Sequence, residues 1–188
     1  MANLSSREKT LTVTYIIATL SLIIVGVVLF LFWNEHHFKR YDRPQNNFAI
    51  SYPSDWKMAE NTNNVNVIFY SPLDNDLDFF QENVNVLERS YPGDPKDIKA
   101  YAEMAVDQMQ AVFKGNFILL EMQPTLLASY PAYRIGFIGK GAQGELKFLI
   151  LCVRKEDVSY QITYAAVSSQ YDKYLDKINK MLGSFKIK

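Results

Sequence analysis

Glu145-Leu146-Lys147-Phe148-Leu149-Ile150-Leu151-Cys152-Val153 is the stretch on which the fold turns. Successive side chains of a strand point to opposite faces. Leu146, Phe148, Ile150 and Cys152 therefore share one face, and Leu149, Leu151 and Val153 share the other. A strand apolar on both faces belongs at the centre of a sheet that is covered on both sides.

The flanking sequence supplies the rest of such a sheet. Asn47–Tyr52 alternates, with Phe48, Ile50 and Tyr52 on one side, and stops at Pro53-Ser54-Asp55. Val65–Tyr70, Gln81–Leu87, Phe117–Met122, Tyr133–Ile138 and Tyr160–Val167 read as further strands, one face of Gln81–Leu87 being wet because asparagines alternate with Val84 and Val86. Two segments have helical period instead. Ile98, Tyr101, Ala102, Ala105, Met109, Val112 and Phe113 form one stripe, with Asp94 as the expected cap before Pro95 and Gly115 as the terminator. Tyr171, Tyr174, Leu175, Ile178, Met181 and Leu182 form another, with Ser169 as the expected cap. Strands joined by short turns imply a mostly antiparallel sheet with helices against it, an α+β domain.

Ahead of this domain, Leu11–Trp33 is a run of 23 uncharged, mostly apolar residues. As a helix it reaches roughly 35 Å, more than the roughly 30 Å hydrocarbon core of a bilayer. A cleavable signal peptide has a shorter apolar stretch and small residues at its cleavage site, whereas this run ends in Phe30-Leu31-Phe32-Trp33. The expected organisation is a tail at 1–10, a transmembrane anchor at 11–33, a juxtamembrane linker at 34–46 and the folded domain at 47–188. Arg7 and Lys9 precede the span while Lys39, Arg40 and Arg43 follow it, so charge gives little orientation. The short tail favours a cytoplasmic N-terminus and an extracytoplasmic domain: periplasmic, lumenal or extracellular.

From Pro44 onward, 15 Lys and Arg face 17 Asp and Glu, a formal charge of −2. No basic surplus suited to nucleic acid is present. Both histidines, His36 and His37, fall in the linker, which leaves the domain without the usual general base for a Ser or Cys nucleophile. Cys152 sits in the most apolar strand and reads as a core thiol. The one oxygen-rich cluster is Asp74, Asp76 and Asp78, whose alternate carboxylates suit a hard cation such as Ca²⁺. It is not an EF-hand, because Phe79 and Asn85 occupy the positions that need Gly and Glu. The plain alternative is a solvated acidic loop. Gly139–Gly144 lacks the Lys-Ser or Lys-Thr of a phosphate loop and reads as a hairpin turn.

Several segments, read in order, resemble the PsbP family, whose photosynthetic members are extrinsic proteins of photosystem II. They are Phe48-Ala49-Ile50-Ser51-Tyr52-Pro53-Ser54-Asp55-Trp56, Phe69-Tyr70-Ser71-Pro72, Glu82-Asn83-Val84-Asn85-Val86, Tyr130-Pro131-Ala132-Tyr133-Arg134, Tyr160-Gln161-Ile162-Thr163-Tyr164 and Gly183-Ser184-Phe185. The resemblance implies an α/β/α sandwich, an antiparallel sheet between helices, also seen in a nuclear-import factor. It further implies a non-catalytic, membrane-anchored accessory subunit that docks on a larger integral membrane complex, photosystem II or another photosynthetic or respiratory assembly. A tethered module binding a cation or small ligand is the alternative. The span stands where plant members carry a soluble N-terminal arm.

Overall fold

The computed structural model describes residues 6–75, 78–90 and 97–188, with the side chains of 6–11, 13–14 and 31–36 outside the description. The chain divides into two compact units, residues 1–38 and 39–188.

The first unit is dominated by helix α1, Ser6–His36. Twelve large apolar side chains between Tyr15 and Phe30 are exposed, on every side of the helix. The Thr19 hydroxyl donates to the Tyr15 and Ile16 carbonyls, and the Ser21 hydroxyl to that of Ile17. Among the described residues no helix is long and apolar enough to cross a membrane. The described side chains of α1 run without a gap from Tyr15 to Phe30, and those of Leu11, Val13, Thr14, Leu31, Phe32 and Trp33 in the expected span lie outside the description.

The second unit is a mixed α+β domain of two sheets. Its strands are β1 Phe38–Asp42, β2 Phe48–Pro53, β3 Lys57–Thr62, β4 Val65–Tyr70, β5 Asn83–Ser90, β6 Phe117–Leu127, β7 Tyr130–Gly141, β8 Gly144–Lys155, β9 Val158–Val167 and β10 Lys186–Ile187. Helix α2 is Ile98–Phe113 and α3 is Tyr171–Ser184. Seven strands form one sheet in the order β3-β4-β5-β9-β8-β7-β6, with every neighbouring pair antiparallel. The other sheet has the order β1-β2-β10.

β8 lies well inside the large sheet and both its faces are covered, as its apolar pattern requires. On one face Ile150 and Cys152 join Ile135 and Phe137 of β7 beneath Tyr101, Ala102 and Ala105 of α2. Phe137 stacks on Phe148 at 4.6 Å, and Phe113 closes over both rings at 6.1 and 5.5 Å. The Phe113 ring leaves room only for a glycine at 139, where a Cβ would lie 2.7 Å from it.

The opposite face carries α3 and the small sheet. Leu149 pairs with Tyr164 and Leu151 with Ile162. The Tyr164 ring lies 5.0 Å from that of Tyr171, and its hydroxyl donates to the Tyr171 carbonyl. Tyr52 stacks on Phe69 at 4.6 Å, while Phe48 contacts both Tyr160 and Phe185.

Three local expectations are corrected. The cap of α2 is Asp97, whose carboxylate accepts from the Lys99 N–H; Asp94 and Pro95 lie outside the described residues. Gln170, not Ser169, precedes α3 and makes no side-chain cap. The segment read as a linker at 34–46 contains β1, and Tyr41 within it is only 2% exposed. The alternation of Phe38-Lys39-Arg40-Tyr41-Asp42 has too few apolar residues to announce a strand. A polar network fixes it instead: the Tyr41 hydroxyl donates to Glu60 at 2.9 Å and accepts from Asn46 at 2.7 Å, and Arg43 donates to Glu60 at 3.0 Å.

Candidate functional site

The acidic loop between β4 and β5 is the site that the sequence proposes, and the structure employs its described carboxylates, Asp74 and Asp78, internally. The Asp74 carboxylate accepts from the Lys173 ammonium and from the Tyr174 hydroxyl, both on α3. The hydrogen bond from Lys173 holds the Asp74 carboxyl below its ordinary range. Asp78 folds back on its own loop, accepting from the N–H groups of Asp74 at 2.9 Å and Phe80 at 3.1 Å. Asp76 lies outside the described residues. Among the described residues, no group of three or more His, Cys, Asp or Glu side chains is placed to hold a metal ion. The loop's described carboxylates thus act first as structural acceptors, tying it to α3.

Glu82, just beyond the loop, is 2% exposed and accepts from the Ser71 hydroxyl at 3.2 Å. Burial pushes its carboxyl above the usual range, since a charge is costly away from water. Cys152 is fully buried, and burial raises its thiol to about 12, which leaves it protonated and inert. Gly139–Gly144 is the hairpin between β7 and β8, with Gly144 at φ +90.

A second feature became visible only in three dimensions. Helix α2 packs over β6, β7 and β8, and on the same face Gln161 of β9 and Asn83, Asn85 and Leu87 of β5 are only half-buried. Between the helix and that half of the sheet runs a groove of about 440 Å³. Leu87, Arg89 and Gln161 line it from the sheet, and Tyr101, Met104 and Met109 from the helix. Its volume falls within the usual range of small-molecule pockets, and flexible methionines adapt to varied apolar partners. Arg89 is exposed at its rim, a fixed positive charge that suits a carboxylate or phosphate. Among the described lining residues no nucleophile–base pair converges, and the apolar and cationic groups present suit binding. The asparagines at 83 and 85, alternating with buried Val84 and Val86, are the sequence signal for this wet face.

The PsbP family model matches residues 36–187 of the chain. The domain is similar to the solution structure of the cyanobacterial PsbP protein CyanoP from a Synechocystis species, with TM-score 0.62 and 13% identity over 81% of this chain and 93% of that one. It is also similar to LpqN of Mycobacterium tuberculosis, described as involved in cell envelope biogenesis, with TM-score 0.60 and 11% identity over 82% and 93%. The Saccharomyces cerevisiae Ran-binding protein Mog1p gives TM-score 0.56 and 12% identity over 80% and 95%. No curated protein sequence matches the chain. At such identities these likenesses define the fold, and fold alone does not fix function.

Proposed function

This chain belongs to the PsbP family, and from that premise we propose that it is a non-catalytic accessory subunit held at a membrane by residues 11–33. Its domain docks on a larger integral membrane complex and stabilises it or helps assemble it. The complex is photosystem II in an oxygenic phototroph and another photosynthetic or respiratory assembly elsewhere. The domain lies on the extracytoplasmic side.

The observation that carries this reading is α1. Twelve large apolar side chains exposed on one helix form a surface that water does not tolerate and lipid does. Its hydroxyls at 19 and 21 are already bonded to the helix's own carbonyls, as a lipid environment demands. A tether also raises the local concentration of the domain, so a modest docking face is enough.

The test is an alkaline carbonate wash of membranes, followed by mild-detergent isolation of the retained chain and mass spectrometry of its companions. Retention with a reproducible integral membrane complex is the expected result. Release by carbonate, or recovery of the chain by itself, overturns the subunit reading. The alternative, a tethered ligand-binding module, draws support from the groove beside α2. Calorimetric titration of the detergent-solubilised chain addresses its cation arm: Ca²⁺ binding that Asp78→Asn abolishes favours that module over the subunit.

A further inference from the structure

Across the large sheet, one transverse row of paired residues runs Leu119–Phe137–Phe148–Ala165–Asn83–Tyr70–Lys57. Beyond that row lies one end of the domain, formed by the start of β6, the β7–β8 hairpin, the described residues of the loop from β4 to β5 and the turn from β2 to β3. The domain's exposed large apolar side chains are not spread evenly. Among the described residues of the second unit there are seven, namely Leu73, Phe79, Val112, Ile118, Leu119, Leu120 and Leu126. All except Leu126 lie at or beside this end, Val112 because the neighbouring Phe113 closes over Phe137 and Phe148.

The chain also enters the domain here. The ammonium of Lys39, the first residue of the unit, donates to the carbonyl of Ser54 in the β2–β3 turn.

We propose that this end of the domain is a lipid-contacting surface, with Phe79, Leu73 and the Ile118-Leu119-Leu120 run seated in the headgroup region of the bilayer. The proposal rests on the anchor reading above and names the surface that the tether brings down. Apolar side chains on such a surface enter the headgroup–acyl boundary by roughly 5–10 Å, flanked by basic groups. Lys39, Lys114 and Lys140, all exposed at this end, supply that flank. Of the acids at this end, Asp74 and Asp55 are paired with Lys173 and Lys177, and Glu145 is exposed opposite Lys140 in the β7–β8 hairpin. The other occupant of an open sheet end, a strand added to β6, is disfavoured by the irregular register between Leu119 and Glu121 and by Pro124, which lacks an N–H. Lipid needs no backbone pairing.

The test uses the full chain reconstituted in vesicles of phosphatidylcholine with a minority of phosphatidylglycerol. An environment-sensitive fluorophore is placed by Phe79→Cys, by Leu120→Cys and, at the opposite end, by Asp157→Cys, whose side chain is 90% exposed in the β8–β9 hairpin. Buried Cys152 stays unlabelled. Quenching by nitroxide-bearing lipids at least about twofold stronger at 79 and 120 than at 157 is the expected result. Equal, weak quenching at all three positions in a chain retained through a carbonate wash overturns this proposal and leaves the anchor standing. A chain stripped by carbonate refutes the anchor itself. Hydrogen exchange supplies a second readout independent of labelling: amides at 78–80 and 118–120 exchange more slowly in vesicles than in detergent if lipid covers them, and equal rates refute the contact.

Discussion

Tyr41→Ala separates a linker from a structural strand. The Tyr41 ring is buried at 2% exposure, with ring centroids 5.8 Å from Phe48 and 5.9 Å from Phe69. Truncating a buried aromatic to alanine costs about 3–5 kcal/mol. In a domain of this size about 1 kcal/mol moves Tm by about 2–4 °C, so the variant should melt about 6–20 °C lower. Tyr41→Phe keeps the ring and removes the hydroxyl that bridges Asn46 and Glu60, a loss of about 1–3 kcal/mol. Urea unfolding of the full chain in detergent, followed at Trp56 in a Trp33→Phe background, measures both, since Trp56 is 4% exposed when folded. A Tyr41→Ala loss within about 1 kcal/mol of the surface control Arg40→Ala would refute the claim that β1 belongs to the folded domain. A pH series adds a check. Burial raises the Tyr41 phenol to about 12, above its ordinary value, so its contribution is intact below pH 10 and fades as pH climbs through about 12. The gap between wild type and Tyr41→Phe should close over that window.

Glu82→Gln should raise Tm at neutral pH, because the folded state disfavours the buried carboxylate; the gain should vanish as pH falls toward the ordinary glutamate value, and calorimetry at several pH values reads the trend. Gly139→Ala places a methyl 2.7 Å from the Phe113 ring and should cost about 1–3 kcal/mol by urea unfolding, with Phe113→Leu restoring part of the loss. Ala128→Gly should stabilise the chain by about 1 kcal/mol, since Ala128 holds φ +50 in the β6–β7 hairpin and a residue with a Cβ pays for that geometry; an unchanged or lower midpoint would count against strain at this turn.

The elements legible in the sequence are those that bury a periodic face. β4 spans the residues that alternation indicates, Val65–Tyr70, and α2 and α3 begin at Ile98 and Tyr171 as their stripes require. β3 was not legible. Lys57-Met58-Ala59-Glu60-Asn61-Thr62 is an edge strand with partial burial along most of its length, so no apolar alternation marks it. Its hairpin held the better signal, Asn63-Asn64, both at positive φ. β10 escapes for another reason: it is paired with a segment remote in the chain, Lys186 with Ala49, while β1, next to β2 in sequence and in the sheet, carries too few apolar residues to show alternation. The acidic loop was visible as composition, but its partners Lys173 and Tyr174 lie about a hundred residues away, and they turn a candidate cation site into a structural tie.

What the sequence determined by itself was local: which segments with a periodic apolar face are strands or helices, that β8 is covered on both faces, that the domain lacks a histidine base, and that residues 11–33 are uncharged and mostly apolar. Periodicity and hydropathy report only which side of a segment avoids water. The tertiary structure decided what occupies the two sides. It placed α2 over half a sheet and left a groove beside it, spent Asp74 on Lys173, drew Tyr41 into the core, and gathered Phe79 with Ile118–Leu120 at one end. Each of these depends on pairing across long sequence separations, where strand register and packing, not neighbouring residues, fix which groups meet.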